Sequence, residues 1–188
     1  MGGRRSARDT GVRREPPDAE AALEIAARFL GTRPRSRWEV ERRLRRAGAE
    51  EEVIQATLER VASLGYLDDA EFARWWQEQR DRHSPRGRRM VAAELRQRGV
   101  PREVLEALAD EAEDDERPSW LAEDADLPST EDERADAALE RHLRGRPVPA
   151  DRAALQRLGM YLVRRGFDPE TARAAIRRRG QASADEDD

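Results

Sequence analysis

Three stretches of this chain share a leucine followed four residues later by a glycine and then a second helix-forming run: LRRAGAEEEVIQA from Leu44 to Ala56, LRQRGVPREVLEA from Leu95 to Ala107 and LVRRGFDPETARA from Leu162 to Ala174. Basic or polar residues lie in the gap each time. Gly48, Gly99 and Gly166 suit the left-handed position that closes one helix just before the next begins. Each unit therefore reads as a lead helix, a second helix, a glycine turn and a third helix. Three such units in series form a quasi-one-dimensional array. Only 37% of residues are hydrophobic and mean hydropathy is -0.99, too little apolar material for one thick interior. The expected fold is all-α, an elongated array of three tandem three-helix repeats.

The stretch LGYLDDAEFARWW, Leu64 to Trp76, shows the grammar that starts these helices. Gly65 closes one helix. Leu67, Asp68, Glu71 and Phe72 then fit a capping box with its hydrophobic staple, and Asp69 faces the positive end of the helix dipole. The aspartate pair reads as helix punctuation, because no further ligand follows it at metal spacing. Ser36 with Glu39 and Thr130 with Glu133 repeat the capping box, while Ser84-Pro85 and Asp168-Pro169 place a capping residue before proline. Apolar residues at helical spacing between these signals predict nine helices, near 19–30, 37–47, 50–63, 69–82, 86–98, 101–111, 131–144, 152–165 and 169–179. The chain then divides into a disordered basic segment at 1–18, repeats at 19–64, 65–111 and 131–180, an acidic linker at 112–130 and an acidic tail at 181–188. Phe72, Trp75 and Trp76 are expected to anchor the packing of the second repeat; the alternatives are Trp76 as a partly exposed binding anchor and Trp120 as a short docking motif in the linker.

Chemistry for an enzyme is thin. Cysteine is absent, His83 and His142 each stand alone beside a helix end, and no nucleophile elbow, Walker lysine, dinucleotide-binding glycine pattern or metal-ligand spacing occurs. No catalytic residue, cofactor or metal is expected. No run of about 18 apolar residues and no apolar leader occur, so a cytoplasmic protein without a membrane span is expected.

The net charge of -4 conceals a segregation. Between Asp110 and Asp136 stand 13 acidic residues against 2 Arg, and four more acids close the chain from Asp185. The remainder is strongly basic, which points to a polyanionic partner or an acidic protein surface. Every basic residue is Arg, with no Lys. The clusters lie at helix starts or beside the repeat glycines: Arg33, Arg35 and Arg37; Arg42, Arg43 and Arg46; Arg86, Arg88 and Arg89; Arg96 and Arg98; Arg164 and Arg165. Pairing with Glu four residues away accounts for some of them. Stacked repeats would align the others as a basic stripe on a concave face. Arg86, Arg88 and Arg89 lack acids close by in sequence and stand out.

RPRSRWEVERRLRRAG, LGYLDDAEFARWW and SPRGRRMVAAELRQRGVPREVLEAL together resemble the RecX family of bacterial regulatory proteins, which modulate the recombinase RecA. The similarity runs unbroken from about Ala19 to Ala109 and more loosely from Arg134 to Arg179; the acidic linker and tail depart from the family's usual compactness. The resemblance implies a monomer that binds along the groove of the RecA filament on DNA. Such binding would inhibit ATP hydrolysis and strand exchange, with weak non-specific DNA binding besides. Two other readings fit the residues: a tandem helix-turn-helix transcription factor, and an adaptor docked through Trp120 and the linker.

Overall fold

The computed structural model describes residues 15–111, 127–128 and 130–185. Among them the backbone forms nine helices and no strand: α1 (Ala19–Leu30), α2 (Arg37–Ala47), α3 (Glu51–Ser63), α4 (Asp69–His83), α5 (Arg88–Arg96), α6 (Arg102–Glu111), α7 (Glu131–Leu143), α8 (Arg152–Arg164) and α9 (Pro169–Asp185). The expectations for residues 1–14, for Trp120 and the linker at 112–126, and for the last residues of the tail lie outside the described residues.

Each set of three helices encloses its own core. Val40, Leu44, Ile54 and Leu58 pack with the alanines of α1. Phe72, Val91, Leu95 and Val100 fill the second core, and Leu139, Leu158, Leu162 and Phe167 the third. Apolar burial on this scale stabilises by roughly 1.5 to 3 kcal/mol for each fully buried large side chain. Leu67, just ahead of α4, packs in the first core and not with Phe72, so the expected staple does not form; no other buried residue of these clusters crosses a boundary between modules, and most of what joins them comes from elsewhere.

The leucine-glycine spacing has a direct cause. Counting from the leucine, the amide one residue past the glycine bonds back to the leucine carbonyl: Ala49 to Leu44 at 3.2 Å, Val100 to Leu95 at 3.2 Å and Phe167 to Leu162 at 3.3 Å. This 6→1 bond defines the Schellman ending, and its apolar partners Val100 with Leu95 and Phe167 with Leu162 sit together in the core.

The same turns join the modules. The start of α2 fits between the start of α4 and the turn after α5: Ser36 Oγ donates to the Arg98 carbonyl at 2.6 Å, and the Arg37 amide donates to Asp69 at 2.8 Å. One module further on, the Gly87 amide donates to the Arg165 carbonyl at 3.0 Å, and the Arg88 amide donates to Glu131 at 3.1 Å. The first residue of each following lead helix thus accepts from an orphan amide of the preceding middle helix. A methyl group on Gly99 would lie 2.4 Å from the Trp38 Cβ, and one on Gly166 would lie 2.5 Å from the Met90 Cβ. At Gly48, in the first of the described modules, nothing lies within 4 Å of the would-be Cβ.

The second joint carries an additional lock. Arg134 Nε of α7 donates to both carboxylate oxygens of Asp81 of α4, at 2.9 and 3.1 Å, and both residues are buried.

Local capping agrees in part with the sequence reading. Asp68 accepts from Ala70 and Glu71, Asp168 accepts from Glu170 and Thr171, and a capping box with both bonds forms at Thr130 and Glu133. At Ser36 the return bond gives way to an ion pair, because Glu39 turns to Arg33 at 3.1 Å. Ser84-Pro85 does not begin a helix. Ser84 ends α4, and α5 starts at Arg88 with Gly87 as its cap. Gly180 does not end α9, which continues to Asp185.

Candidate partner-binding surface

The aromatic pair at Trp75 and Trp76 organises the centre of the second module. Phe72 is fully buried, with its ring centroid 6.1 Å from each indole, while the two tryptophans are half-buried. Guanidinium groups cover them: Arg98 lies 3.7 Å and Arg80 4.5 Å from the Trp76 centroid, and Arg33 lies 5.4 Å from that of Trp75. The quadrupole of an indole face attracts such cations, by about 0.5 to 2 kcal/mol each.

Glu94, buried on α5, holds this cluster together. Its Oε2 accepts from Trp76 Nε1 and from Arg80 Nε, both at 2.8 Å. Its Oε1 pairs with Arg86, and its backbone carbonyl accepts from Arg98 at 2.7 Å. Neighbouring contacts extend the line in both directions. Towards the first module, Arg33 pairs with Glu39, and Arg35 covers the Phe29 ring while bonding Thr32 at 2.8 Å. Towards the third, Arg165 donates to Ser84 at 3.2 Å and to the Pro85 carbonyl at 3.0 Å.

These cations feel one another. Burial lowers the pKa of Arg86, and the adjacent Arg80, Arg165 and Arg98 lower it further. Arg98 is lowered by burial and, more weakly, by Arg80 and Arg33, with Glu39 opposing them. Arg35 is lowered by burial and by Arg33. Arg35, Arg33, Arg98, Arg80, Arg86 and Arg165 thus follow one another through neighbouring contacts across three modules, and the carboxylates paired with members of this series are Glu39 and Glu94. Such a surface repels itself and attracts anions.

Of the thirteen candidates named from the sequence, the structure draws Arg33, Arg35, Arg86, Arg98 and Arg165 into this series. Arg37 serves the first joint through its backbone amide, and its side chain is exposed. Arg42 covers the Trp38 ring at 4.9 Å. Arg88 serves the second joint through its amide, with Nε 3.8 Å from Glu131. Arg43, Arg46, Arg89, Arg96 and Arg164 are exposed, and among the described residues no carboxylate pairs with them. Arg86 and Arg88 do have acidic partners, Glu94 and Glu131, although sequence spacing set them apart as free of acids.

Arg80, Glu94, Asp81 and Arg134 escaped the sequence reading. A charged residue at a helical position that should be apolar was the available signal for Glu94. Burial, then Arg146, Arg165 and Arg144, lower the pKa of His142 below the ordinary imidazole value and so disfavour its charged form. No helix among the described residues is long and apolar enough to cross a membrane.

Comparison with known proteins agrees with this architecture. Models of the first, second and third three-helix domains of RecX match residues 22–60, 68–108 and 130–176. Regulatory protein RecX of Halorhodospira halophila is 36% identical over 170 residues, covering 90% of this chain and 92% of that protein. The protein of the same name from Thermobifida fusca is 34% identical over 186 residues, covering 92% and 90%. The crystal structure of RecX from Lactobacillus salivarius superposes with a TM-score of 0.65 at 18% identity, covering 86% of this chain and 96% of that one. At that identity the superposition speaks to the fold alone.

Proposed function

The chain belongs to the RecX family, and on that premise we propose that it regulates the RecA recombinase by lying along the groove of the RecA filament on DNA and lowering its ATPase and strand-exchange activity. The arginine series carries this reading. Its six guanidiniums come from all three modules and share two carboxylates, so a partner offering anions at intervals along a groove meets them in turn. Many modest contacts held on a rigid frame bind tightly without a deep pocket. The protein acts as a monomer in the cytoplasm, and its contact with free DNA is weak and independent of sequence.

The test uses Arg98→Ala and Arg165→Ala, separately and together. Charge reversal at Arg86 is unsuitable, because a glutamate there would face Glu94. Each single change is expected to raise the protein concentration needed for half-inhibition of RecA ATPase by roughly tenfold, the equivalent of about 1.4 kcal/mol. Unchanged inhibition by the folded double variant would remove this surface from the account. Binding to one duplex sequence ~10³-fold above random DNA, without RecA, would support a transcription factor instead.

A further inference from the structure

Glu94 is an odd residue to keep in the centre of a surface that attracts anions. By simple charge counting it opposes binding. Yet it is buried, and a single carboxylate engages the Trp76 indole, Arg80 and Arg86, while its own carbonyl engages Arg98. The two guanidiniums over the Trp76 ring are each tied to Glu94, Arg80 through the carboxylate and Arg98 through the backbone carbonyl, so the frame limits their freedom before any partner arrives.

We infer that Glu94 is a positioning residue whose carboxylate fixes Arg80 and Arg86, beside Arg98, as a preorganised grip for the phosphodiester backbone of a nucleic-acid strand. This rests on the arginine series being a contact surface. The choice of phosphodiester over protein follows from what covers the aromatics. Protein interfaces concentrate their binding energy in desolvated apolar anchors; here cations overlie the indoles that would serve. At Glu94 the cations cover the apolar centre, which suits a partner recognised through its charge, and backbone recognition has that character.

Glu94→Gln separates positioning from charge, because the two predict opposite signs. It preserves shape and removes one negative charge, so charge alone would tighten binding to an anion. Positioning requires the reverse. Affinity for a fluorescent oligothymidylate, with no recombinase present, is expected to weaken about tenfold in Glu94→Gln, with the slope of log affinity against log salt falling by roughly 0.7 for each phosphate that is no longer neutralised. Arg80→Ala should show the same weakening, and the double variant should bind little worse than either single one, since both changes remove one unit. Glu94→Asp, which keeps the charge, should recover part of the affinity.

Equal or tighter binding by Glu94→Gln, with native circular dichroism and melting, would overturn the inference. So would additive effects in the double variant. If Glu94→Gln unfolds, Arg80→Ala decides alone: unchanged affinity and salt slope would overturn the inference. A wild-type chain that inhibits RecA without binding the oligonucleotide sinks the inference and leaves the proposed function standing. Oligonucleotide binding that depends on Glu94, without any effect on RecA, does the opposite.

Discussion

At the scale of single residues, the three repeat glycines look alike in sequence and carry different loads. All three adopt positive φ, at 87° for Gly48, 73° for Gly99 and 95° for Gly166. An alanine at any of them meets the left-handed penalty of about 1 to 2 kcal/mol. At Gly48 the surrounding space is open, so Gly48→Ala should lose only that much. At Gly99 the new methyl would also strike the Cβ and Cγ of Trp38, which belong to a helix of the neighbouring module and cannot swing aside as a flexible tip could. Overpacking of this kind adds roughly 1 to 3 kcal/mol. Denaturant unfolding of Gly99→Ala against Gly48→Ala measures the difference directly; equal destabilisation would mean that the first joint does not depend on close backbone approach. The sequence showed that glycine was needed at these positions. It could not show the second reason at Gly99 and Gly166, since that reason lies on a helix some sixty residues or more away in the chain.

At the scale of elements, the joints depend on polar groups at helix starts, and burial raises the pKa of the carboxyl at each, Asp69 and Glu131. Burial raises the pKa of Glu131 above its ordinary value of 4.5, although the Arg88 amide, Arg134 and Arg88 all favour the ionised form. A carboxyl that binds its proton more tightly folded than unfolded contributes most at low pH, and that contribution fades as pH rises from about 4.5 through the raised value. Glu131→Gln still offers an oxygen to the Arg88 amide and does not titrate. The stability of the wild-type chain relative to this variant should therefore fall with rising pH in that window, as measured by unfolding at matched salt. A rise would mean that the cations beside Glu131 outweigh burial. Helix positions were legible from caps and apolar spacing because those signals act within four residues. Ser84-Pro85 was misread for the same reason: a cap-like pair in sequence became the end of α4, with Ser84 accepting a bond from Arg165. The cluster at Glu94 was illegible because its partners lie 14 and 18 residues away, across a turn whose path only the fold determines.

At the scale of the whole molecule, three separate cores joined by two polar seams form an array whose stability approximates a sum of module and seam terms. A basic line that crosses both seams can keep its spacing only if the seams hold, so the proposed filament binding would require inter-module stability. The buried Asp81–Arg134 pair tests this most sharply. Removing one member strands the other as a buried charge, which typically costs about 3 to 5 kcal/mol, and the cost falls on the attachment of the third module. Trp38, Trp75 and Trp76 all stand in the first two modules, and the third repeat, from residue 131 onward, contains no tryptophan. Once Trp120, which lies between the second and third repeats, is replaced by Phe in every chain compared, tryptophan fluorescence and far-ultraviolet circular dichroism report on different parts of the array. In Asp81→Ala, rising denaturant should remove roughly a third of the helical signal before the indole emission shifts, whereas the two signals should move together where Asp81 is kept. The same variant should lose the binding contribution of Arg165 while retaining that of Arg98, because only the former depends on the second seam. Coincident transitions in Asp81→Ala, with inhibition of RecA unchanged, would mean that the third module is held by something other than this ion pair and that the basic line does not need it.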